Sequence, residues 1–396
     1  MAEAACQNTI AIATGILGKA TETGARRHID LLFGGNTVVL CERREEGFET
    51  TRPLFVSGEV VHGPLGRIER EAGKLIGSLL YASSGVPFGR TRRAMEAFLR
   101  KHDATAILAE FGHIGAKLAP VAADMGLPLY MYLRGFDASK RLRSPRVVRR
   151  YQKAVPKLAG IISVSRSLIE NLAAKGVTHP NSIVIPTGVD VDMFRPGEKD
   201  PNLILTVGRL VAKKAPLTTI DTFAAMAREF PAARLEIIGD GDLMADCRNR
   251  AATHGLTDRI VLHGHRDRAF VQERLARASV FLLHSVTDAA GNEEGLPTAI
   301  QEAMASGAAV ISTRHAGIPD LIEQGRTGLL VEENDAAAYR EALHRLLEGE
   351  GALAAELARN ARGVAEERLD FRKLHARLEA FIIERGRTLS LRTSAS

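Results

Sequence analysis

Residues 291–313 read "GNEEGLPTAIQEAMASGAAVIST". Pro297 suits the first turn of a helix, where its missing N–H would have been unpaired in any case. Ala299, Ile300, Ala303 and Met304 then fall on one stripe of that helix and face a core. The helix runs into "AAVIST" (308–313), a short apolar run that reads as a buried strand. A helix feeding a buried strand is the repeating unit of α/β proteins with parallel sheets. Of the three carboxylates that interrupt this apolar text, Glu294 stands just before the turn and Glu302 one turn into the helix.

The same rhythm extends in both directions. Upstream, "TIAIAT" (9–14), "NTVVL" (36–40), "TAILAEF" (105–111), "PLYMYL" (128–133) and "GIISVS" (160–165) read as buried strands. Helical patterns over 22–33, 90–101 and 114–125 lie between several of them. After residue 200 the series resumes with "LILTVG" (203–208), "RLEIIG" (234–239), "IVLHG" (260–264) and "VFLLHS" (280–285). Such alternation predicts parallel sheets with helices on both faces. The stretch "IPTGVDVDMFRPGEKDP" (185–201) is rich in Gly, Pro and Asp and reads as a linker. The expectation is an α/β chain of two Rossmann-like domains, 1–190 and 191–369, facing across a cleft. A helix over about 370–384 packs back on the first domain, and 385–396 is a frayed tail. Ligands of open α/β sheets bind beyond the carboxyl ends of the strands, so the cleft is the expected working site.

Composition agrees with this class. A chain of 396 residues, 45% hydrophobic and 25% charged, suits two soluble domains. Cys6, Cys41 and Cys247 are odd in number and far apart, which argues against a disulfide framework and for a reducing compartment. The N-terminus has no basic leader and reads as a first buried strand, and no run approaches a membrane span. A cytoplasmic protein is expected. Charge is uneven: residues 1–198 carry a net +8 and the remainder −2. The basic half suggests that one domain meets an anionic surface or ligand.

The free N–H groups around Gly295, Leu296, Pro297 and Thr298 would point out of the helix start, where partial positive charge favours phosphate. Thr298 and Glu302 share a flanking face. Glu302 is placed to accept hydrogen bonds from ligand hydroxyls beside such an anion, and Glu294 to reach what the anion carries. Gly264 and His265 follow a strand and either line a nucleotide-base pocket or form a mere turn. His113, in "EFGHIG", either faces the cleft or caps a helix. The triplets "DVD" (190–192) and "DGD" (240–242) sit at turns, and "HGHRD" (263–267) lacks zinc spacing, so no metal site is expected.

The text "EEGLPTAIQEAMASGAAVIST..AGIPDLI", with Glu294 and Glu302 eight apart, resembles the signature of retaining glycosyltransferases of family GT4, which have the GT-B fold. "VGRLVAKKA" (207–215) is similar to the basic segment of that family. "VSRSLIENLAAKGV" and "NSIVIPTGVDVDMFRP" look like its interdomain region. The resemblance covers about residues 105–345, and the subgroup nearest in character makes exopolysaccharides of the colanic acid and amylovoran type. It implies that Arg209 and Lys214 neutralise the departing diphosphate of a nucleotide-sugar, that Glu302 binds ribose hydroxyls, and that Glu294 contacts the sugar. It implies that Gly15 and Gly18 of "GILG" bring backbone close to the diphosphate. It further implies front-face transfer with retention and no required metal. The donor nucleotide, whether UDP, GDP or ADP, stays open, as does the choice between a glycan and a lipid-linked acceptor. "RGFDAS" (134–139) matches the subgroup on the acceptor side through Asp137 but departs from it at Arg134, where the subgroup usually has His. A guanidinium cannot switch protonation as imidazole does, so Arg134 is a candidate clamp for a phosphate or an acidic sugar.

Segment 140–157 carries eight basic residues and no acid. Val147, Val148, Tyr151 and Val155 share one helical face, and Arg146, Arg150, Lys153 and Lys157 another. The basic face either is simply solvated or docks on an anionic membrane surface. No nucleic-acid partner is expected. Two alternatives to transfer are an NAD-dependent Rossmann oxidoreductase, against which the absence of Gly-x-Gly-x-x-Gly in "ATGILGKATETG" stands, and a catalytically idle nucleotide-sugar-binding protein.

Overall fold

The computed structural model describes residues 8–18 and 23–393. The chain forms two compact units, Met1–Ile185 together with His375–Ser396, and Pro186–Leu374.

Unit 1 is built on seven parallel strands: β1 (Thr9–Leu17), β2 (Thr37–Arg44), β3 (Leu54–Val56), β4 (Ala104–Glu110), β5 (Leu129–Leu133), β6 (Gly160–Ser163) and β7 (Ser182–Val184). Their order is β3-β2-β1-β4-β5-β6-β7, so the direction of winding reverses between β1 and β4. Six helices connect them: α1 (Thr23–Leu31), α2 (Gly63–Tyr81), α3 (Gly89–Lys101), α4 (Gly112–Met125), α5 (Pro145–Ala154) and α6 (Arg166–Ala173). Ile10, Ala11, Ile12 and Ala13 are all buried, because helices cover both faces of a parallel strand and leave no solvent side.

Unit 2 repeats the plan with six parallel strands: β8 (Asp200–Val207), β9 (Arg234–Ile238), β10 (Ile260–Gly264), β11 (Ala278–Leu283), β12 (Ala309–Thr313) and β13 (Leu329–Val331). The order β10-β9-β8-β11-β12-β13 reverses between β8 and β11. Its helices are α7 (Pro216–Met226), α8 (Met244–Thr253), α9 (Arg268–Arg277), α10 (Thr298–Ala305), α11 (Ala336–Leu347) and α12 (Ala352–Val364). Ile204, Leu235, Ile237, Val280 and Ile311 from the sheet meet Ile220, Phe223 and Leu343 from α7 and α11 in one continuous core. The last helix, α13 (Phe371–Thr393), begins in unit 2 and joins unit 1 from His375 onward. There Phe381 lies edge-on to Tyr130, whose hydroxyl donates to Ile382 O at 2.8 Å.

The structure departs from the periodicity in several places. Strand β1 runs three residues beyond "TIAIAT", because β2 continues to offer partners as far as Arg44. The helix expected over 22–33 ends at Leu31, where Phe33 (φ 51°) and Gly34 (φ 66°) leave helical conformation. Helix α13 reaches Thr393, through most of the expected frayed tail, which holds no proline to stop it. Helix α2 and the three-residue strands β3, β7 and β13 lie outside the segments read from the sequence. Cys41 and Cys247 are buried free thiols, and Cys6 lies outside the described residues. Among the described residues no helix is long and apolar enough to cross a membrane.

Candidate functional site

In unit 2 the turns after β8, β9 and β10 are stitched together by backbone bonds. Gly208 N–H donates to Ile238 O (3.0 Å), Gly239 N–H to Gly264 O (2.9 Å), and Leu210 N–H to Asp240 O (2.9 Å). Gly239 has φ +141°, and a Cβ there would lie 1.9 Å from Gly208 O, so only glycine lets these turns approach. The chain leaving β8 carries Arg209, which is exposed, then a single 3-10 turn, Ala212–Lys214. Ala215 (φ 37°) ends that turn and starts α7. This tight reversal points Lys213 and Lys214 the same way.

Both ammonium groups converge on Glu294. Lys214 Nζ lies 3.1 Å and Lys213 Nζ 3.4 Å from Glu294 Oε1, and Lys213 Nζ also donates to Glu293 O at 3.2 Å. Glu294 is only 7% exposed. Burial alone would push its carboxyl up, but Lys214 and Lys213 outweigh that and hold it below the usual carboxylate range. Burial lowers Lys213, with Glu294 opposing and Lys214 and Arg209 reinforcing the shift. Two ammonium groups thus share one carboxylate, with the charge of Arg209 close enough to be felt.

A second set of contacts fixes the loop that carries Glu294. Its backbone N–H donates to His315 Nε2 at 3.0 Å. That nitrogen must be bare, so the ring proton sits on Nδ1, which meets Glu333 Oε1 at 2.6 Å. Glu333 Oε2 accepts Thr287 N–H at 2.8 Å. These bonds tie the segment after β11 to the ends of β12 and β13. His284, just past β11, is fully buried edge-on to Tyr339, and burial pushes it down to about 4, so it packs as a neutral ring.

Helix α10 starts at Thr298, with Pro297 (ψ 119°) as its cap. Pro297 therefore precedes the first turn expected to contain it. Lacking an N–H, it leaves Gly295, Leu296 and Thr298 as the only amide donors of 295–298. Gly295, Leu296 and Pro297 are buried, Thr298 is exposed and Glu302 is half-buried one turn in. Gly264 (φ +68°) ends β10 as part of the stitched turns, and His265 beside it is exposed.

Unit 1 holds a buried polar cluster of its own. Glu110, the last residue of β4, is fully buried. His28 Nδ1 lies 2.5 Å from its Oε1, and Arg134 donates to its Oε2 through Nε at 2.7 Å and through Nη2. The Arg134 guanidinium sits 4.4 Å over the Tyr132 ring, and the His28 ring meets Tyr132 and His375 at 5.4 and 5.2 Å. Burial raises Glu110, but Arg134 and His28 together bring it down to about 2. Burial lowers His28 against the pull of Glu110, so the ring stays neutral and donates. Arg134, itself half-buried, is thus ion-paired to a fully buried carboxylate.

The remaining candidates of unit 1 have local structural roles. Asp137 is fully buried: Oδ2 accepts Gly112 N–H (2.7 Å), and Oδ1 accepts those of Gly135 (2.9 Å) and Arg134 (3.1 Å). It shapes the two loops because their backbone donors surround it. Gly15 is not in a turn but inside β1, between the pairs Thr14↔Cys41 and Ile16↔Arg43. Gly18 does turn (φ +103°), but a Cβ there would lie 2.9 Å from Phe48, so the neighbouring loop already requires glycine. His113, half-buried in the first turn of α4, lies 5.8 Å from Phe111 and 6.4 Å from Phe136 by ring centres.

The model of the family described as "Glycosyl transferases group 1" matches residues 190–364. The chain is 31% identical over 297 residues to the amylovoran biosynthesis glycosyltransferase AmsK of Erwinia amylovora, covering 72% of this chain and 68% of that one. This chain belongs to the group 1 glycosyl transferases. The Escherichia coli (strain K12) protein WcaL, named for colanic acid biosynthesis, is 32% identical over 247 residues, which is 61% of each chain. Among solved structures, Anabaena Alr3699/HepE in complex with UDP and glucose aligns with TM-score 0.75 at 17% identity, over 95% of this chain and all of that one. The apo lipopolysaccharide outer core galactosyltransferase WaaB aligns with TM-score 0.70 at 17% identity, over 95% and 99%. The two parallel α/β units are those of the GT-B fold, and the oxidoreductase reading is set aside.

In this glycosyltransferase the structure brings together Lys214 and Glu294, and adds Lys213, His315 and Glu333. The doubled "KK" at 213–214 is a visible signal for Lys213. His315 and Glu333 carry none, since each lies after a different strand. Glu110 and His28 of the glycosyltransferase are equally silent, 82 residues apart in sequence. Among the described residues no three His, Cys, Asp or Glu side chains form a cluster able to hold a metal ion.

Proposed function

We propose that this glycosyltransferase is a retaining, GT4-like enzyme that moves a sugar from a nucleotide-diphosphate-sugar to a glycan or lipid-linked acceptor in surface polysaccharide synthesis. One observation carries the reading: Lys213 and Lys214 lie 3.4 and 3.1 Å from the single buried carboxylate of Glu294, at the carboxyl end of β8. With the exposed Arg209 nearby, the group has two more positive charges than negative ones, the two lysines being half-buried. A diphosphate supplies the missing charge, and its bonds to fixed cations strengthen as the leaving group develops. Gly295, Leu296 and Thr298 offer amides beside it. Glu302 receives ribose hydroxyls, and Glu294 the sugar. The names of AmsK and WcaL support the polysaccharide setting, and the UDP complex of Alr3699/HepE supports a nucleotide-linked donor.

In the proposed step the acceptor hydroxyl approaches C1 on the face from which phosphate departs. The C1–O bond to the acceptor forms as the C1–O bond to phosphate breaks, and the hydroxyl proton passes to the leaving phosphate oxygen. The products are a nucleoside diphosphate and a glycoside of unchanged anomeric configuration. Arg209, Lys213 and Lys214 neutralise the charge. Arg134, His113, Gly264 and His265 are secondary candidates for contact with acceptor or base. The basic face of α5 holds the enzyme on the anionic cytoplasmic leaflet.

A thermal-shift screen over UDP-, GDP- and ADP-sugars identifies the donor, because only a ligand of the folded state raises the melting temperature. With that donor, Lys213→Ala combined with Lys214→Ala lowers kcat about 10³-fold while the fold persists. Near-normal turnover in the folded variant, or an inverted product, overturns the reading.

A further inference from the structure

Helix α2 is turned inside out. Gly66, Gly73 and Gly77 form its buried face, and a Cβ on any of them would meet Val61 at 2.5 Å, Phe88 at 2.8 Å or Ser83 O at 2.4 Å. The opposite face carries Ile68, Leu75 and Leu79, which are 66%, 64% and 70% exposed, with Ala72 between them. The spacing 68, 72, 75, 79 makes a single stripe along the helix. Of the eight large apolar side chains exposed among the described residues, four belong to this helix, Leu80 being the fourth. Scattered exposed leucines need no explanation, but a continuous row does.

The surroundings say what covers that row. Helix α5 closes the C-terminal end of α2: Lys153 Nζ donates to Leu80 O at 3.0 Å and Arg150 Nε to Ala82 O at 3.1 Å. Arg150 thereby leaves the basic face, while Arg146, Arg149, Lys153 and Lys157 remain exposed. The acids of α2 are already matched, Glu69 by Arg90 at 2.7 Å and Glu71 by Lys74 at 2.6 Å. An apolar ridge beside surplus cations complements an anionic leaflet, whose headgroups meet the cations while its acyl boundary takes the ridge. A second copy of the chain would set this basic surface against itself across a two-fold axis.

We infer that α2 is a membrane-inserting helix, lying in the plane of an anionic leaflet with Ile68, Leu75 and Leu79 below the headgroups and α5 holding it there by charge. This deepens the proposed membrane docking of α5 and rests on it. The two can fail separately.

Sedimentation with phosphatidylcholine vesicles, with and without about 30% phosphatidylglycerol, reads both parts. Wild-type protein binds the anionic vesicles, and part of that binding survives about 0.5 M salt, where charge attraction is largely screened. Replacing Ile68, Leu75 and Leu79 together by Ser lowers the partition coefficient about ten-fold and removes the salt-resistant part, while donor binding by unit 2 is unchanged. The sequence contains no Trp, so Leu75→Trp is a single reporter should the triple variant misfold. Its emission shifts to the blue on anionic vesicles and is quenched by brominated acyl chains. Binding abolished entirely by salt, with the indole emission of Leu75→Trp left unquenched, overturns insertion and leaves α5 docking intact. Absence of binding at low salt overturns both. A lipid-free dimer that the Ser substitutions dissociate, with vesicle binding unaltered, makes the ridge a self-association surface and also overturns the inference.

Discussion

The backbone N–H of Glu294 donates to Nε2 of His315 at 3.0 Å, and this one bond sets both the position of the carboxylate and the tautomer of the ring. With Nε2 committed as acceptor, the Nδ1 proton points to Glu333 Oε1 at 2.6 Å. His315 does not touch Glu294's carboxylate; it holds the backbone that carries it. His315→Ala leaves a buried N–H unpaired, which costs about 1–3 kcal/mol. The expected result is a lower melting temperature together with a fall in kcat larger than the change in donor KM. Steady-state kinetics at saturating donor check it, and an unchanged kcat would remove His315 from the positioning of Glu294.

Arg134 and Glu110 form a buried pair that can be taken apart in a double-mutant cycle. Arg134→Met leaves Glu110 charged and short of its main partner, with an expected loss of about 3–5 kcal/mol. Glu110→Gln in the same chain relieves most of that loss. Urea unfolding of the two single variants and the double variant measures the coupling. Additive effects would mean that the pair does not behave as one unit.

Acid stability follows from the same cluster. Burial, reinforced by His28 and Arg27, lowers His375 from 6.5 to about 3. The unfolded chain therefore binds the extra proton first, and stability present above pH 6.5 is lost as pH falls toward 3. Glu110, lowered from 4.5 to about 2, adds stability that is present above pH 4.5 and lost as pH falls toward 2. The urea midpoint should decline from pH 6.5 downward and more steeply below 4.5. His375→Phe should flatten the upper part of that decline and leave the lower part; the same profile in wild type and variant would refute the assignment.

Glu302, half-buried one turn into α10, is proposed to read ribose hydroxyls. Glu302→Ala should weaken donor binding about ten-fold, the cost of a hydrogen bond to a charged group. Isothermal titration with the intact donor, and with a nucleotide lacking ribose hydroxyls, distinguishes this role from a structural one. Only the intact donor should lose affinity.

Local spacing determined much of this protein. Ten of the strands follow from short apolar runs, since burial on both faces imposes a continuous apolar signature that can be read residue by residue. Glu294, Glu302, Arg209 and Lys214 are candidates from sequence because each lies near a strand end or helix start marked by Gly and Pro, and their roles stand as proposed. Helix α2 carries an apolar stripe at 68, 72, 75 and 79, but its inward positions are glycines and the stripe faces outward, so spacing alone does not report its burial. Strands β3, β7 and β13, three residues each, are too short for alternation to register.

Tertiary structure alone decided which charges meet. Lys213 reaches Glu293 O across 80 residues and His28 reaches Glu110 across 82, because the sheets set β8 beside β11 and β1 beside β4, strands far apart in sequence. Asp137 is an acceptor-side candidate by resemblance alone; only the fold shows that three backbone N–H groups converge on its carboxylate. Periodicity reports how deeply a side chain is buried; its partner depends on strand order and register, which no local window contains.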